Sequence, residues 1–230
     1  MRLALGVILA AVVSYLCIEN PQEFTQLGLN PKAISFAGTM TFAVLGSWGL
    51  IDQFDRISNK KSGDSVSVPW FEVQTASFCS FLIYGNSVAS FAVFYQGIIR
   101  SLFLVPILYL LWIYEEMTRW QVVLLWMLAL ILIANYLLPY NGAFFVGFAF
   151  ANLMFLVSQP LELWIEKSPG DLSIRLIIVY GLSSLFWAGY GFAFDDTPIT
   201  LLGTGYSLLY IVTAGLWFYY DLQATTKIRW

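Results

Sequence analysis

Residues 81–114 read FLIYGNSVASFAVFYQGIIRSLFLVPILYLLWIY, and residues 187–220 read WAGYGFAFDDTPITLLGTGYSLLYIVTAGLWFYY. The second stretch aligns with the first without a gap at an offset of 106 residues, which places Tyr84 on Tyr190. Over the wider range Gln53–Tyr114, 13 positions are identical at this offset, whereas composition alone would give about five. Several of the identical residues are polar, and an apolar composition does not explain their coincidence. The chain therefore contains an internal repeat.

Apolar segments extend outward from the repeat over most of the chain. Of the 230 residues, 59% are hydrophobic and 11% are charged, whereas a soluble domain carries about 25% charged residues. A membrane-spanning helix needs about 20 mostly apolar residues. The sequence therefore predicts an all-α integral membrane protein. Its eight predicted spans are Leu3–Ile18, Ala33–Ile51, Trp70–Phe91, Ala92–Tyr114, Trp120–Leu138, Gly142–Trp164, Leu176–Phe194 and Ile199–Asp221.

The order of the spans predicts the architecture. Each repeat holds three spans, and a single span separates the repeats, so both repeats point the same way across the membrane. We expect two parallel three-helix bundles joined by one linker helix, with an extra helix in front. The predicted divisions are 1–20 (extra N-terminal transmembrane helix, or an uncleaved signal anchor), 33–116 (first repeat), 119–139 (linker), 142–222 (second repeat) and 223–230 (cytoplasmic tail).

The positive charges predict the orientation. With the N-terminus inside, nine of the eleven Lys and Arg residues fall on the cytoplasmic side, as the positive-inside rule requires. These nine are Arg2, Arg56, Lys60, Lys61, Arg119, Lys167, Arg175, Lys227 and Arg229. The outer loops instead carry Glu19, Glu23, Asp195 and Asp196. We expect both termini in the cytoplasm, and a prokaryotic inner membrane as the location.

Composition excludes several classes of function. The chain has no histidine, which removes the usual general base and metal ligand. Its two cysteines, Cys17 and Cys79, lie in apolar stretches and are interpreted as packing residues. With a net charge of −3 and no basic patch, nucleic acid is not expected as a partner. We expect no metal, no cofactor and no enzymatic activity; the expected partners are a small polar solute and the lipid bilayer, and the oligomeric state is open.

Short motifs mark the second repeat and its weaker counterpart. In the second repeat they are Ser158-Gln159-Pro160-Leu161, Glu166-Lys167-Ser168-Pro169-Gly170-Asp171-Leu172-Ser173, Trp187-Ala188-Gly189-Tyr190-Gly191 and Asp196-Thr197-Pro198-Ile199. In the first repeat they are Gln53, Lys60–Pro69 and Tyr84-Gly85. Over about residues 38–220 this pattern resembles the PQ-loop (MtN3/saliva) superfamily, and within it the SWEET and SemiSWEET sugar transporters. The resemblance implies a seven-helix fold and alternating access at the interface of the two bundles.

The chain also departs from that family pattern. The Pro-Gln dyad is inverted as Gln159-Pro160, and the first helix lies outside the seven-helix plan. Where sugar-transporting members place an asparagine in the pocket, this chain has Gly97 and Gly203. Loss of a carboxamide removes a donor and an acceptor for sugar hydroxyls, so the substrate stays open.

The predicted pocket combines resemblance with buried polarity. The resemblance implies that Trp187, with Phe81 at the matching position, lines the pocket. Asn152 and Arg100 are polar groups inside spans, which normally face a bundle interior or a cavity. Arg100 could pair with Asp195 or Asp196, bind an anionic solute, or extend toward the membrane surface. The remaining predicted pocket positions are Gly46, Gly97 and Gly203.

A second set of residues is predicted to act as gates or hinges. Proline inside a span bends a helix, so Pro160 is a candidate hinge, while Pro69 is either a hinge or a helix start. Gln53 and Gln159 could pair across the halves at the cytoplasmic side. The resemblance implies an outer gate in which Asp196 meets tyrosines, the candidates being Tyr84 and Tyr190.

Three functions remain open from the sequence. The first is a facilitator that moves a small polar solute, such as a mono- or disaccharide, by alternating access. The second is a proton-coupled amino-acid transporter of the cystinosin-like branch, for which Asp52, Glu72 and Glu162 are the candidate carboxylates. The third is a receptor or assembly protein without transport, because the KDEL receptor shares this architecture.

Overall fold

The computed structural model describes residues 2–24, 28–62, 67–114, 117–167 and 174–227, except for the side chains of 158, 159, 162, 166, 175, 176 and 224–227. Within these ranges the chain forms helices and no strands. The helices are α1 (Arg2–Cys17), α2 (Pro31–Lys60), α3 (Val68–Ser87), α4 (Phe91–Tyr114), α5 (Arg119–Leu137), α6 (Asn141–Leu156), α7 (Ser158–Glu166), α8 (Ile174–Ala193) and α9 (Thr197–Lys227). A 3₁₀ turn, Gln22–Phe24, lies between α1 and α2.

The predicted spans coincide with these helices, with three differences. α2 and α9 continue well past the predicted ends. Hydropathy detects only the apolar part of a helix, whereas its backbone hydrogen bonds extend into the polar part outside the membrane. The sixth predicted span is divided into α6 and α7. Among the described residues, four helical segments are long and apolar enough to cross a membrane, namely Pro31–Lys60, Phe91–Tyr114, Arg119–Leu137 and Thr197–Gln223. Shorter apolar helices there are Arg2–Cys17, Asn141–Leu156 and Ile177–Ala193.

The break between α6 and α7 has a local cause. Pro160 has no N–H, so the carbonyl of Leu156 loses its usual partner four residues on. The amide of Val157 still donates to the carbonyl of Leu153 at 3.1 Å, an ordinary length for a helical hydrogen bond. The helix therefore runs regularly to Leu156, turns at Val157 and restarts at Ser158.

The helices pack in the same order in the two halves of the molecule. In the first half, α4 packs against both α2 and α3; in the second half, α9 packs against α8 and against α6 and α7. The halves meet through α2 against α8 and α3 against α6, two contacts that exchange when the repeats are interchanged. α5 packs mainly on α3, and the extra helix α1 packs mainly on α4.

Glycine allows the two helices of each hairpin to approach closely. A Cβ on Gly85 would lie 2.5 Å from the backbone nitrogen of Phe94, and a Cβ on Gly191 would lie 2.4 Å from that of Thr200. These four residues correspond pairwise at the offset of 106. The α3–α4 and α8–α9 hairpins are therefore closed by the same backbone-to-backbone contact.

The two ends of the bundle differ in charge. The basic end contains Lys60, Arg119 and Lys167, and Arg2 of α1 pairs there with Asp55 of α2. The opposite, acidic end contains Glu23 and Asp196 in the connections between helices.

The surface between the two ends is apolar. α1 and α5 carry many exposed large hydrophobic side chains, such as Leu16 at 74% and Trp126 at 66% exposed. Such a surface is unstable in water and stable against lipid tails. The architecture is an all-α membrane fold.

The glycine contact predicts an unequal effect of the same substitution at two glycines. Gly191→Ala should lower the free energy of unfolding by about 1–3 kcal/mol through overpacking. Gly147→Ala is the matched control, since nothing lies within 4 Å of its new methyl group and alanine favours a helix interior by roughly 0.5–1 kcal/mol. Thermal unfolding of the purified protein in detergent measures both, and equal stability of the two variants would contradict the close approach.

Candidate functional site

A cavity lies between the two halves, enclosed by α3, α4, α6, α8 and α9. Its volume is about 820 Å³ when the open mouth is included. The lining residues are Gln74, Ser77, Phe78, Phe81, Gln96, Arg100, Phe145, Ala149, Asn152, Tyr180, Ser183, Ser184, Trp187, Ile199, Leu202, Gly203, Tyr206 and Tyr210.

Aromatic rings form the part of the cavity wall nearest the acidic end. The ring of Phe81 lies 4.7 Å from that of Phe145 and 6.2 Å from that of Trp187, both in edge-on geometry. Phe145 in turn stacks on Tyr84 at 4.4 Å. These rings offer flat apolar faces to a bound molecule.

Polar side chains line other parts of the wall. The Oε1 atoms of Gln74 and Gln96 are buried without a hydrogen-bond partner among the described residues. Asn152 lies within hydrogen-bonding reach of the Tyr206 hydroxyl, which also donates to the carbonyl of Ala149 at 3.1 Å. A buried polar group without a partner is costly, so the free amide oxygens are available to a solute.

Arg100 lines the same cavity and is only 3% exposed. Its guanidinium carbon lies 5.6 Å from the ring centre of Phe78 and 5.8 Å from that of Tyr180. The sequence offered Asp195 or Asp196 as partners, or an extended side chain that reaches the membrane surface. Neither is observed, because Arg100 points into the protein and forms no ion pair within the described ranges.

The structure places the three predicted pocket glycines differently. Gly203 lines the cavity, although a Cβ there would meet the backbone nitrogen of Ala188 at 2.3 Å. Gly97 lies against Leu82 in the first hairpin and is not among the lining residues. Gly46 also lies outside the wall, directly against the guanidinium of Arg100. Gly97 and Gly46 therefore make room for neighbouring groups rather than for a solute.

One cross-half contact at the acidic end joins Tyr84 of α3 to Asp196. The Tyr84 hydroxyl lies 2.9 Å from each carboxylate oxygen of Asp196, and Oδ1 also accepts the amide of Ile199 at the start of α9. Burial raises the pKa of the Asp196 carboxyl, although the hydrogen bonds from Ile199 and Tyr84 oppose that shift. The predicted partners Tyr84 and Asp196 are thus brought together.

The corresponding contact joins Tyr190 of α8 to Ser90, which matches Asp196 at the offset of 106. The two hydroxyl oxygens lie 2.7 Å apart. Here Tyr190 does not reach Asp196; instead its hydroxyl donates to Oε1 of Glu23 at 2.6 Å, and the Ser90 hydroxyl donates to the same atom at 2.8 Å. The carboxylate that position 90 lacks is supplied by Glu23, from outside the repeat.

Glu23 is also a cap for α4. Its carboxylate accepts the amides of Phe91 at 3.1 Å and Ala92 at 3.0 Å, which are unpaired donors at the start of a helix. The sequence identified Glu23 only as an outer-loop acid, because a loop residue that reaches a distant helix leaves no periodic signal. The alignment of Ser90 with Asp196 was the available hint that one carboxylate was missing.

The predicted hinge and gate residues at the basic end take separate positions. Pro160 lies at the α6–α7 break, whereas Pro69 begins α3, where a missing N–H has no cost and no kink forms. Gln53 is half-buried on α2. The side chain of Gln159 lies outside the described part, so its predicted pairing with Gln53 has no structural counterpart to describe.

A further carboxylate, Glu72 of α3, is buried inside the protein. It is 1% exposed, and neither of its carboxylate oxygens has a hydrogen-bond partner among the described residues. Of the other candidates for proton coupling, Asp52 is exposed and pairs with Arg56 at 2.8 Å, and the side chain of Glu162 is outside the described part. Within that part, no three His, Cys, Asp or Glu residues are grouped to hold a metal ion.

Comparison with known proteins finds a solved structure of similar fold. No protein-family model matches the chain, and no curated protein matches it. Among solved structures, a eukaryotic SWEET transporter determined at 3.7 Å resolution aligns with a TM-score of 0.68 and 18% sequence identity. The alignment covers 93% of this chain and 99% of that one. The chain therefore has the fold of a SWEET transporter and is a multi-pass integral membrane protein.

The network around Glu23 predicts a stability effect. Glu23→Ala should lower the free energy of unfolding by about 1–3 kcal/mol, because it leaves buried amide and hydroxyl donors without an acceptor. Glu19→Ala is the control, since Glu19 is exposed in the same connection. Thermal unfolding in detergent compares the two, and an unchanged midpoint for Glu23→Ala would show that Glu23 does not hold α4 and α8.

Proposed function

We propose that the protein carries a small polar solute across the membrane by alternating access between its two halves. The observation that carries this proposal is a cavity between the halves that is covered at the acidic end by hydrogen bonds from each half to the other. A solute in such a cavity leaves only when these contacts break or when the basic end opens. A mono- or disaccharide is one class of solute that the cavity's aromatic wall would suit.

The gating follows from which contacts cross the interface. Opening of the acidic end would separate Tyr84 from Asp196 and Tyr190 from Ser90, so the halves would rotate apart there and close at the basic end. The α6–α7 break would let the basic end of the second half swing, because Pro160 has no N–H to bond the Leu156 carbonyl and the helix is weaker there. We place the protein in a prokaryotic inner membrane with its basic end on the cytoplasmic side, in line with the positive-inside rule.

Uptake into proteoliposomes tests this function. The protein should raise the rate at which a labelled solute, from a panel of sugars, amino acids and organic acids, enters the vesicles. Trp187→Ala should reduce that rate at least tenfold, because it removes the largest ring of the cavity wall. Trp126→Ala is the control, since Trp126 faces outward on α5.

Two outcomes would count against transport through this cavity. Equal uptake by the Trp187→Ala and Trp126→Ala variants would place the solute elsewhere. No uptake of any solute by folded protein would favour the receptor or assembly function.

Glu72 favours a second candidate, proton-coupled transport. A carboxylate buried in a membrane protein without a partner is far more stable protonated than charged. It could therefore take up a proton from one side and release it when the cavity changes its exposure. An amino acid is a solute that such coupling would suit.

Glu72→Gln separates the two candidates. If transport is proton-coupled, the variant should lose the acceleration that an imposed pH gradient gives to uptake and should retain exchange of labelled for unlabelled solute. Asp52→Asn, at an exposed position, should keep the gradient response. A wild-type uptake rate that ignores the gradient would leave the facilitator as the function.

A further inference from the structure

Arg100 carries a charge that no carboxylate in the described part of the chain neutralises. It is one of the most deeply buried side chains, at 3% exposed, and its Nε has no hydrogen-bond partner among the described residues. The ion pairs in the described ranges, Arg2 with Asp55 and Arg56 with Asp52, are both at the basic end. Burial of an unpaired charge costs several kcal/mol, so a stable fold gains little from this residue.

The aromatic neighbours of Arg100 compensate only part of that cost. Phe78 and Tyr180 lie on the guanidinium at cation–π distance, and each such contact contributes about 0.5–2 kcal/mol. Neither ring carries a negative charge. The guanidinium therefore lies at the cavity wall in contact with two rings, and it can still pair with an anion.

The chain makes specific room for this guanidinium. A Cβ on Gly46 would lie 2.0 Å from Nη2 and 2.8 Å from Cζ of Arg100, so only glycine is compatible with the observed position. In the second repeat the matching residues are Asn152 and Tyr206, which contact each other instead. The pair Gly46 and Arg100 thus replaces a neutral polar pair as a unit, and it does so in one half alone.

We propose that the transported solute is a small organic carboxylate, and that Arg100 binds its carboxylate group. This inference rests on the transport function proposed above. A guanidinium binds a carboxylate through two parallel hydrogen bonds, and such a bond would supply the missing counter-charge. The rings of Phe81, Phe145 and Trp187 would contact the organic part of the solute. An inorganic anion has no such part. Gln96, on the same helix as Arg100, would accept from a hydroxyl or amino group of that part.

The first experiment measures binding with matched pairs of probes. Purified protein in detergent is heated with glucuronate or glucuronamide, with phenylacetate or phenylacetamide, and with inorganic phosphate, each over the same series of concentrations. A carboxylate that binds the native state should raise the unfolding midpoint, and its carboxamide should require at least a tenfold higher concentration for the same shift, since a hydrogen bond to a charged group contributes about 1.5–3 kcal/mol. Equal shifts within each pair, no shift with either carboxylate, or a shift with phosphate alone would overturn the inference.

The second experiment removes the charge at constant bulk. Without ligand, Arg100→Met should be as stable to heat as the wild type or more stable, because a buried unpaired charge is gone; with ligand, it should lose the preference for the carboxylate of each pair. Arg56→Met, at an exposed position, should keep that preference. A large loss of heat stability in Arg100→Met without ligand would assign Arg100 to the architecture, and a retained preference would place the anion elsewhere.

Uptake by proteoliposomes separates this inference from the function on which it rests. If glucose enters equally through wild-type and Arg100→Met protein and glucuronate does not enter, transport stands and the carboxylate class is wrong. If carboxylate binding depends on Arg100 but no probe crosses the membrane, the ligand class stands and transport fails. Uptake of glucuronate that Arg100→Met abolishes and Arg100→Lys partly restores supports both.

Discussion

The contact of backbone on backbone inside each hairpin is the constraint on which the acidic end depends. Gly85 and Gly191 let α4 and α9 lie directly against their neighbours, and the tyrosine just before each glycine then points to the other half. Tyr84 reaches Asp196, and Tyr190 reaches Ser90. A side chain at either glycine would move a hairpin and with it the tyrosine, so the covering of the cavity depends on helix packing as well as on the connections that carry Asp196, Ser90 and Glu23.

The halves are alike in scaffold and unlike in chemistry. Both close their hairpins in the same way, yet the first half has Ser90 in place of a carboxylate and borrows Glu23 from the connection after α1. The first half also has Gly46 and Arg100 where the second has Asn152 and Tyr206. In both cases the difference involves two residues that fit each other, because a single replacement would leave either a donor without an acceptor or two side chains in one space.

The features that the sequence predicted are those with a regular pattern along the chain, namely the apolar spans and the internal repeat. Span positions follow from the length of apolar segments, and the family resemblance implied that Asp196 would meet Tyr84 or Tyr190 at one end. Glu23 was missed because its partners are distant along the chain and a capping loop has no period. Gly46 was assigned to the pocket because the offset gives depth but not the space that a neighbour such as Arg100 occupies. The assignment of Trp187, Phe81 and Asn152 to solute binding stays a prediction, although all three line the cavity.

The connection from α1 to Glu23 also ties the gate to the thickness of the bilayer. α1 has 16 residues, which span roughly 24 Å at 1.5 Å per residue, less than the hydrocarbon core of about 30 Å. Lipid must thin around α1 or α1 must shift in depth, and only residues 18–22 separate its end from the carboxylate that holds Tyr190 and α4. We therefore expect the length of the lipid tails to affect the contact between the halves.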